Sequence, residues 1–148
     1  MRRLLISQSA DNPLTWGIFR PIIILPADIE EWPLDHQRVV LCHELAHVKR
    51  LDALTSMIAD LARLLYWFNP LVWMTTRALR YERERACDDY VVASGEKPSE
   101  YAGALLELSE RLGAAEYPSE VIAMAQQPWL ERRLLAILDP QRQQIITK

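Results

Sequence analysis

The chain of 148 residues is half apolar and a quarter charged, with four Gly and nine Pro, which is the make-up of one folded domain and excludes disordered, collagen-like and low-complexity chains. Lys and Arg number 17 against 20 Asp and Glu, a net charge of −3, so no chain-wide field favours nucleic-acid phosphate or an anionic membrane surface, and no nucleic-acid partner is expected. Two cysteines, Cys42 and Cys87, make no disulfide framework, which predicts a reducing compartment, and the apolar run Leu4, Leu5, Ile6 is too short for a secretion signal.

In chain order, 3–7 and 14–25 are the stretches dominated by β-branched and aromatic residues, which predicts a small N-terminal sheet within 1–30. Pro21 and Pro26 bracket 22–25, and because proline cannot donate to a ladder this strand is expected at a sheet edge. From Leu34 onward the pattern is helical: 35–50, 53–66, 70–94, 99–112 and 129–138. Asp35 and Asp52 suit N-caps, Pro70 a first turn, and Gly95 and Gly113 helix stops, while 141–148 reads as a frayed tail. Without repeat or long linker, this is a single α+β domain, mostly helical over 34–140. The apolar stretch 53–76 contains Asp60, Arg63 and Asn69-Pro70, and each charge would cost about 2.5–3.5 kcal/mol at a bilayer centre. It is therefore expected as a buried helix with Asp60 and Arg63 paired on the solvated side and Leu61, Leu64 and Leu65 inward. Tyr66, Trp67, Phe68 and Trp73 are candidates for membrane contact.

His43-Glu44-Leu45-Ala46-His47 stands in the first long helix with no breaker until after Arg50. Residues four apart share a helix face, so both imidazoles can reach one Zn²⁺, while Glu44, about a quarter turn away, reaches a water beside the ion. A catalytic zinc needs a third protein ligand. The long metzincin form, with Gly at position 50 and His or Asp at 53, is excluded by Arg50 and Ala53, and Asp52 is explained by capping. A glutamate ligand followed four residues later by an aspartate is met by Glu84 and Asp88, which share one helix face; Glu82 fails because Ala86 is four later.

Together, His43-Glu44-Leu45-Ala46-His47 and Glu84-Arg85-Ala86-Cys87-Asp88 resemble the zinc domain of the BlaR/MecR type of membrane metallopeptidase, β-lactam sensor-transducers of bacteria. The likeness extends to Trp16-Gly17-Ile18-Phe19-Arg20-Pro21, to Trp67-Phe68-Asn69-Pro70-Leu71-Val72-Trp73 and, loosely, to the terminal helix. The resemblance implies a zincin fold of the gluzincin type and one Zn²⁺ per chain. It implies a cytoplasmic location at the inner face of a membrane, and signal-triggered cleavage of the protein itself or of a transcriptional repressor. By match, His43, His47 and Glu84 are the ligands, Glu44 the base, and Asp88 the partner of a ligand imidazole. The transmembrane helices and extracellular sensor of that family are absent from this sequence, which leaves the signal open.

Two neutral imidazoles and one carboxylate leave zinc a net positive charge and bring the pKa of its water toward neutrality, so Glu44 can take a proton and pass it to the leaving amine. An extended peptide substrate could add to the 22–25 strand. Tyr81, Tyr90, Tyr101 and His36 are candidate oxyanion stabilisers that spacing does not separate, although His36, about 10 Å from His43 along the helix, is too far to ligate the same ion. Arg77 and Arg80 are candidates for substrate contact, and Cys87 is either a reactive thiol or a small buried hydrophobe. The alternative function is a catalytically weak, zinc-stabilised module that binds a membrane or repressor partner.

Overall fold

The computed structural model describes residues 3–8, 10, 13–116 and 120–142, and for 110–116 and 120–128 the backbone. Three strands open the chain: β1 (Arg3–Ser7), β2 (Leu14–Trp16) and β3 (Ile22–Pro26). They form one sheet in the order β1-β3-β2, with β1 parallel to β3 in the register Arg3↔Ile22 to Ser7↔Pro26, and β2 antiparallel with Thr15↔Ile23. The strand expected at an edge is therefore the central one. Pro21 and Pro26 lie at its limits, so the intervening amides remain free to bond on both sides, and the edges fall to β1 and β2. Gly17, at φ +94°, turns the chain between β2 and β3, where a Cβ would meet the Arg20 carbonyl oxygen at 3.0 Å.

Beneath the sheet Ile23 and Leu25 pack with Ile29, Trp32, Val40 and Val48. A 3-10 turn over Ala27–Glu31 leads into α1 (Leu34–Arg50). Asp35, expected as the cap, lies inside the first turn of α1, and the cap position belongs to Pro33. At the end of α1, Leu51 takes the left-handed conformation at φ 57°, alone among the described non-glycine residues, and is also the cap of α2 (Asp52–Leu65). A left-handed leucine costs about 1–2 kcal/mol, and the corner it makes sets Asp52 back against His47. Asp52 is thus the first residue of α2 and buried, not its cap.

α3 (Pro70–Ala93) starts as expected: the Asn69 side chain caps the Leu71 amide and Pro70 occupies the first turn. It stops at Ser94 and Gly95, the latter at φ +98°. α4 (Pro98–Glu116) runs through Gly113 rather than stopping there, since glycine in a helix is a cost of about 1 kcal/mol and not a barrier. α5 (Glu120–Leu138) starts well before residue 129. Val39, Val91, Val92, Tyr101, Ala102 and Ile137 form a second core where α1, α3, α4 and α5 meet. In the segment expected to fray, Arg142 pairs with Asp89 at 2.5 Å; 143–148 lie outside the described residues. The molecule is mostly helical with a small sheet, an α+β architecture.

Asp60 and Arg63 pair at 3.3 Å as expected, but Leu61, Leu64 and Leu65 do not pack inward: they are 54%, 72% and 60% exposed. The inner side of α2 meets α1 and α3, and no described element covers its leucine side. That side continues into the exposed Trp67, Phe68, Leu71 and Met74. Among the described residues no helix is long and apolar enough to cross a membrane.

Candidate metal centre

The two histidines sit one turn apart on α1 with their ring centroids 4.9 Å from each other. Glu84 comes to them from α3: its Oε2 is 3.4 Å from His43 Nε2 and its Oε1 is 3.8 Å from His47 Nε2. The three side chains are 13–15% exposed. They are drawn from two helices whose register brings position 84 opposite 43 and 47.

The far nitrogen of each ring is held. His47 Nδ1 lies 2.8 Å from Asp52 Oδ2 and so carries the proton of that bond. Around His43 the protons can be followed through three residues. Asp88 is a carboxylate, because Arg133 grips it in fork geometry, Nε to Oδ2 at 2.9 Å and Nη2 to Oδ1 at 2.7 Å. Burial and the neighbouring Asp88 push the Tyr101 hydroxyl well above its ordinary pKa, so it keeps its proton and donates it to Asp88 Oδ1 at 2.6 Å. With that proton committed, the 3.1 Å bond between Tyr101 and His43 Nδ1 takes its hydrogen from the imidazole. Asp88 thus supports His43 chiefly through Tyr101; its own oxygen is 3.5 Å from the ring nitrogen.

Both Nε2 atoms are therefore the ones turned to Glu84. When the imidazoles are neutral, two lone pairs and a carboxylate converge with no hydrogen between them, an arrangement that asks for a cation. The ligand atoms of His43, His47 and Glu84 all lie within 4.8 Å of one another, and the N, N, O set with one carboxylate suits Zn²⁺. Burial raises the Glu84 pKa, but the His43 hydrogen bond and the charges of Arg133, His43 and His47 outweigh it and hold the group at about 2. Glu84 is therefore ionised and ready to bind at any physiological pH.

Glu44, one residue beyond His43, is 7% exposed and lines an open cleft beside the three groups. Thr15 on β2 donates its hydroxyl to Glu44 Oε2 at 2.7 Å, which fixes the carboxylate against the sheet. Pro13 and the β2 residues Leu14 and Thr15 line the cleft, as do Ser56 of α2 and Arg83 of α3. Arg83 donates Nη1 to the Ser56 hydroxyl, and its Nη2 is 3.6 Å from Glu84 Oε1.

The weaker candidates lie elsewhere. Tyr81, Tyr90, Arg77 and Arg80 do not line the cleft; Arg77 and Arg80 are both exposed, and Tyr90 lies beneath Lys49 Nζ at 4.8 Å. Tyr101 is buried behind His43, and His36 is 3.7 Å from Glu107. Cys87, fully buried, is 3.3 Å from His47 Nδ1 and 3.5 Å from Asp52. Burial and the charges of Asp52 and Glu84 push its pKa far up, so it stays a thiol and packs as a small hydrophobe. Sequence reasoning missed Thr15, Asp52 as the partner of His47, Arg83 and Arg133. Asp52 carried a signal, a carboxylate just past the motif at a helix corner; Arg133, one of two adjacent arginines on the last helix, carried none.

The motif helix, the second carboxylate helix and the sheet beside them also match a known family model, BlaR1 peptidase M56, over residues 2–137. The chain belongs to the BlaR1 peptidase M56 family. It is 40% identical over 98 residues to the regulatory protein BlaR1 of Bacillus licheniformis, covering 65% of this chain and 16% of that protein. It is 29% identical over 87 residues to the methicillin resistance mecR1 protein of Staphylococcus aureus, covering 58% of this chain and 15% of that one. The chain thus spans about a sixth of the length of these curated relatives. No solved structure matches it. Membership of M56 makes this a chain of a peptidase family.

Proposed function

We propose that this chain is a zinc-dependent endopeptidase of the gluzincin type, with His43, His47 and Glu84 holding one Zn²⁺ and Glu44 acting as general base and acid. The observation that carries the reading is the convergence of Glu84 on both Nε2 atoms, at 3.4 and 3.8 Å, beside a cleft that Glu44 lines. When bound, zinc supplies a positive charge that polarises a peptide carbonyl and makes a water acidic enough to be deprotonated near neutral pH.

The chain's own residues do the rest. Glu44 accepts the proton of the attacking water and hands it to the leaving amine; Thr15 keeps one of its oxygens engaged, so the other serves the substrate. Tyr101 and Asp52 hold the two ligand rings with Nε2 toward Glu84. β2 is a sheet edge whose residues 14 and 15, with Pro13 before them, wall the cleft, and an extended peptide can add to it as a further strand; this role passes to β2 from the 22–25 strand, whose two sides are both paired. Arg83, a cation facing the same space, is placed to meet a substrate carbonyl or carboxylate.

The substrate is a protein segment: part of the full-length chain or a transcriptional repressor, cut after a signal, at the cytoplasmic face of a membrane. The exposed Leu64, Trp67, Phe68 and Met74 support that membrane contact. Glu44→Gln decides between enzyme and zinc-stabilised binding module: the variant is expected to keep its zinc and its fold and to lose about 10²–10⁴-fold in peptide hydrolysis. Undiminished turnover in protease-free Glu44→Gln removes Glu44 from the mechanism.

A further inference from the structure

We propose that Arg133, on α5, is a positioning residue of the metal centre: its guanidinium locks the Asp88–Tyr101 pair that orients the His43 ring and also contacts Glu84. The proposal rests on the reading of His43, His47 and Glu84 as zinc ligands. Arg133 is buried, 8% exposed, with its guanidinium 5.6 Å from the Trp129 ring centroid on its own helix. Its fork takes both oxygens of Asp88, at 2.9 and 2.7 Å, and its Nη1 is 3.7 Å from Glu84 Oε2. One side chain therefore touches the third ligand and, through Asp88 and Tyr101, governs the first.

Two readings of that geometry predict opposite results. A cation this close to a Zn²⁺ site repels the metal, so if charge were its whole effect, removing Arg133 would tighten binding. If position dominates, removing it leaves Asp88 buried without its fork, free to draw the His43 Nδ1 hydrogen from Tyr101 to itself and turn the ring, and leaves Glu84 without its contact to Arg133. The contacts favour the second: the fork bonds are short and direct, whereas the contact with Glu84 is longer. A purely structural reading, in which Arg133 only ties α5 to α3, has its own control. Arg142, following α5, makes a comparable tie to α3 through Asp89 at 2.5 Å, away from the ligands.

Zinc affinity is measured by competition with a chromophoric chelator on the folded parent protein, Arg133→Met, Arg133→Lys and Arg142→Met. The Arg133→Met variant is expected to bind zinc about 10–100-fold more weakly. Arg133→Lys should recover part of the loss, because a single ammonium cannot bridge both Asp88 oxygens. Arg142→Met should match the parent. Parent-like or tighter zinc in Arg133→Met, or an equal loss in Arg142→Met, overturns the proposal. If Arg133→Met does not fold, Arg133→Lys decides: parent-like affinity there overturns it and a measurable loss supports it. A parent that takes up no zinc refutes the zinc reading itself, whereas tight zinc in both parent and variant refutes the positioning role alone.

Discussion

At the N-terminal end of α3 the apolar Leu71 and Met74 are 65% and 67% exposed, whereas near its C-terminal end the carboxylate of Asp88 is 3% exposed, packed beside Cys87 and Val91. One helix thus buries a charge at one end and exposes large apolar side chains at the other. The buried end is tolerated because every charge there has a partner: Asp88 has Arg133 and Tyr101, and Glu84 has the two imidazoles. The apolar end is exposed because no described element covers it, and the same holds for the outer side of α2. Hydropathy alone would assign the core to the wrong half of α3; hydrogen-bond partners assign it correctly.

The contrast can be broken most severely at Asp88. Asp88→Ala leaves Arg133 buried without its partner and should destabilise the fold by about 3–5 kcal/mol in chemical denaturation; a loss under 1 kcal/mol would mean that Arg133 reaches water. Next is Glu84, which sits at about 2 in the folded chain against 4.5 ordinarily. A lowered carboxylate pKa gives stability that is complete above the unfolded value and disappears as pH falls through the folded one. Metal-free protein should therefore lose on the order of 3 kcal/mol between pH 4.5 and 2 on this account, and Glu84→Gln should flatten that limb of the stability curve. A similar slope in both proteins would assign the acid sensitivity elsewhere.

Asp52→Ala removes the oxygen 2.8 Å from His47 Nδ1 and should weaken zinc binding about 10–100-fold, read by chelator competition. The smallest effect belongs to the apolar end, where Leu64→Ser should change stability by no more than about 0.5 kcal/mol. A cost above 2 kcal/mol there would show that this leucine is covered in solution and that the two ends are not so different.

The candidate metal centre is legible in the sequence to the extent that helical spacing defines it. His43 and His47 share a face because they are four apart, and Glu84 and Asp88 do so for the same reason, so spacing alone specifies two half-sites. What spacing cannot give is the docking of one helix on another, and the residues it misses around the ligands lie across such contacts or beyond a bend in the chain. Thr15 reaches Glu44 from a strand, Tyr101 and Arg133 reach Asp88 from α4 and α5, and Asp52 reaches His47 because Leu51 bends the chain. The sheet is legible as composition but not as order. Prolines at the limits of a strand are compatible with a central position as well as an edge, and the two-sided pairing of Ile22–Pro26 depends on β1 and β2 being there to pair. The leucine side of α2 is misread for a related reason: an apolar stripe at helical spacing specifies a side to be covered, not what covers it.

The central claim, that His43, His47 and Glu84 hold one zinc ion, is tested most directly by elemental analysis. Protein purified free of metal, reconstituted with zinc and desalted is measured beside Glu84→Ala treated identically. The account predicts about one zinc per chain in the parent and far less in Glu84→Ala. Absence of zinc from the parent, or full occupancy in Glu84→Ala, would contradict it.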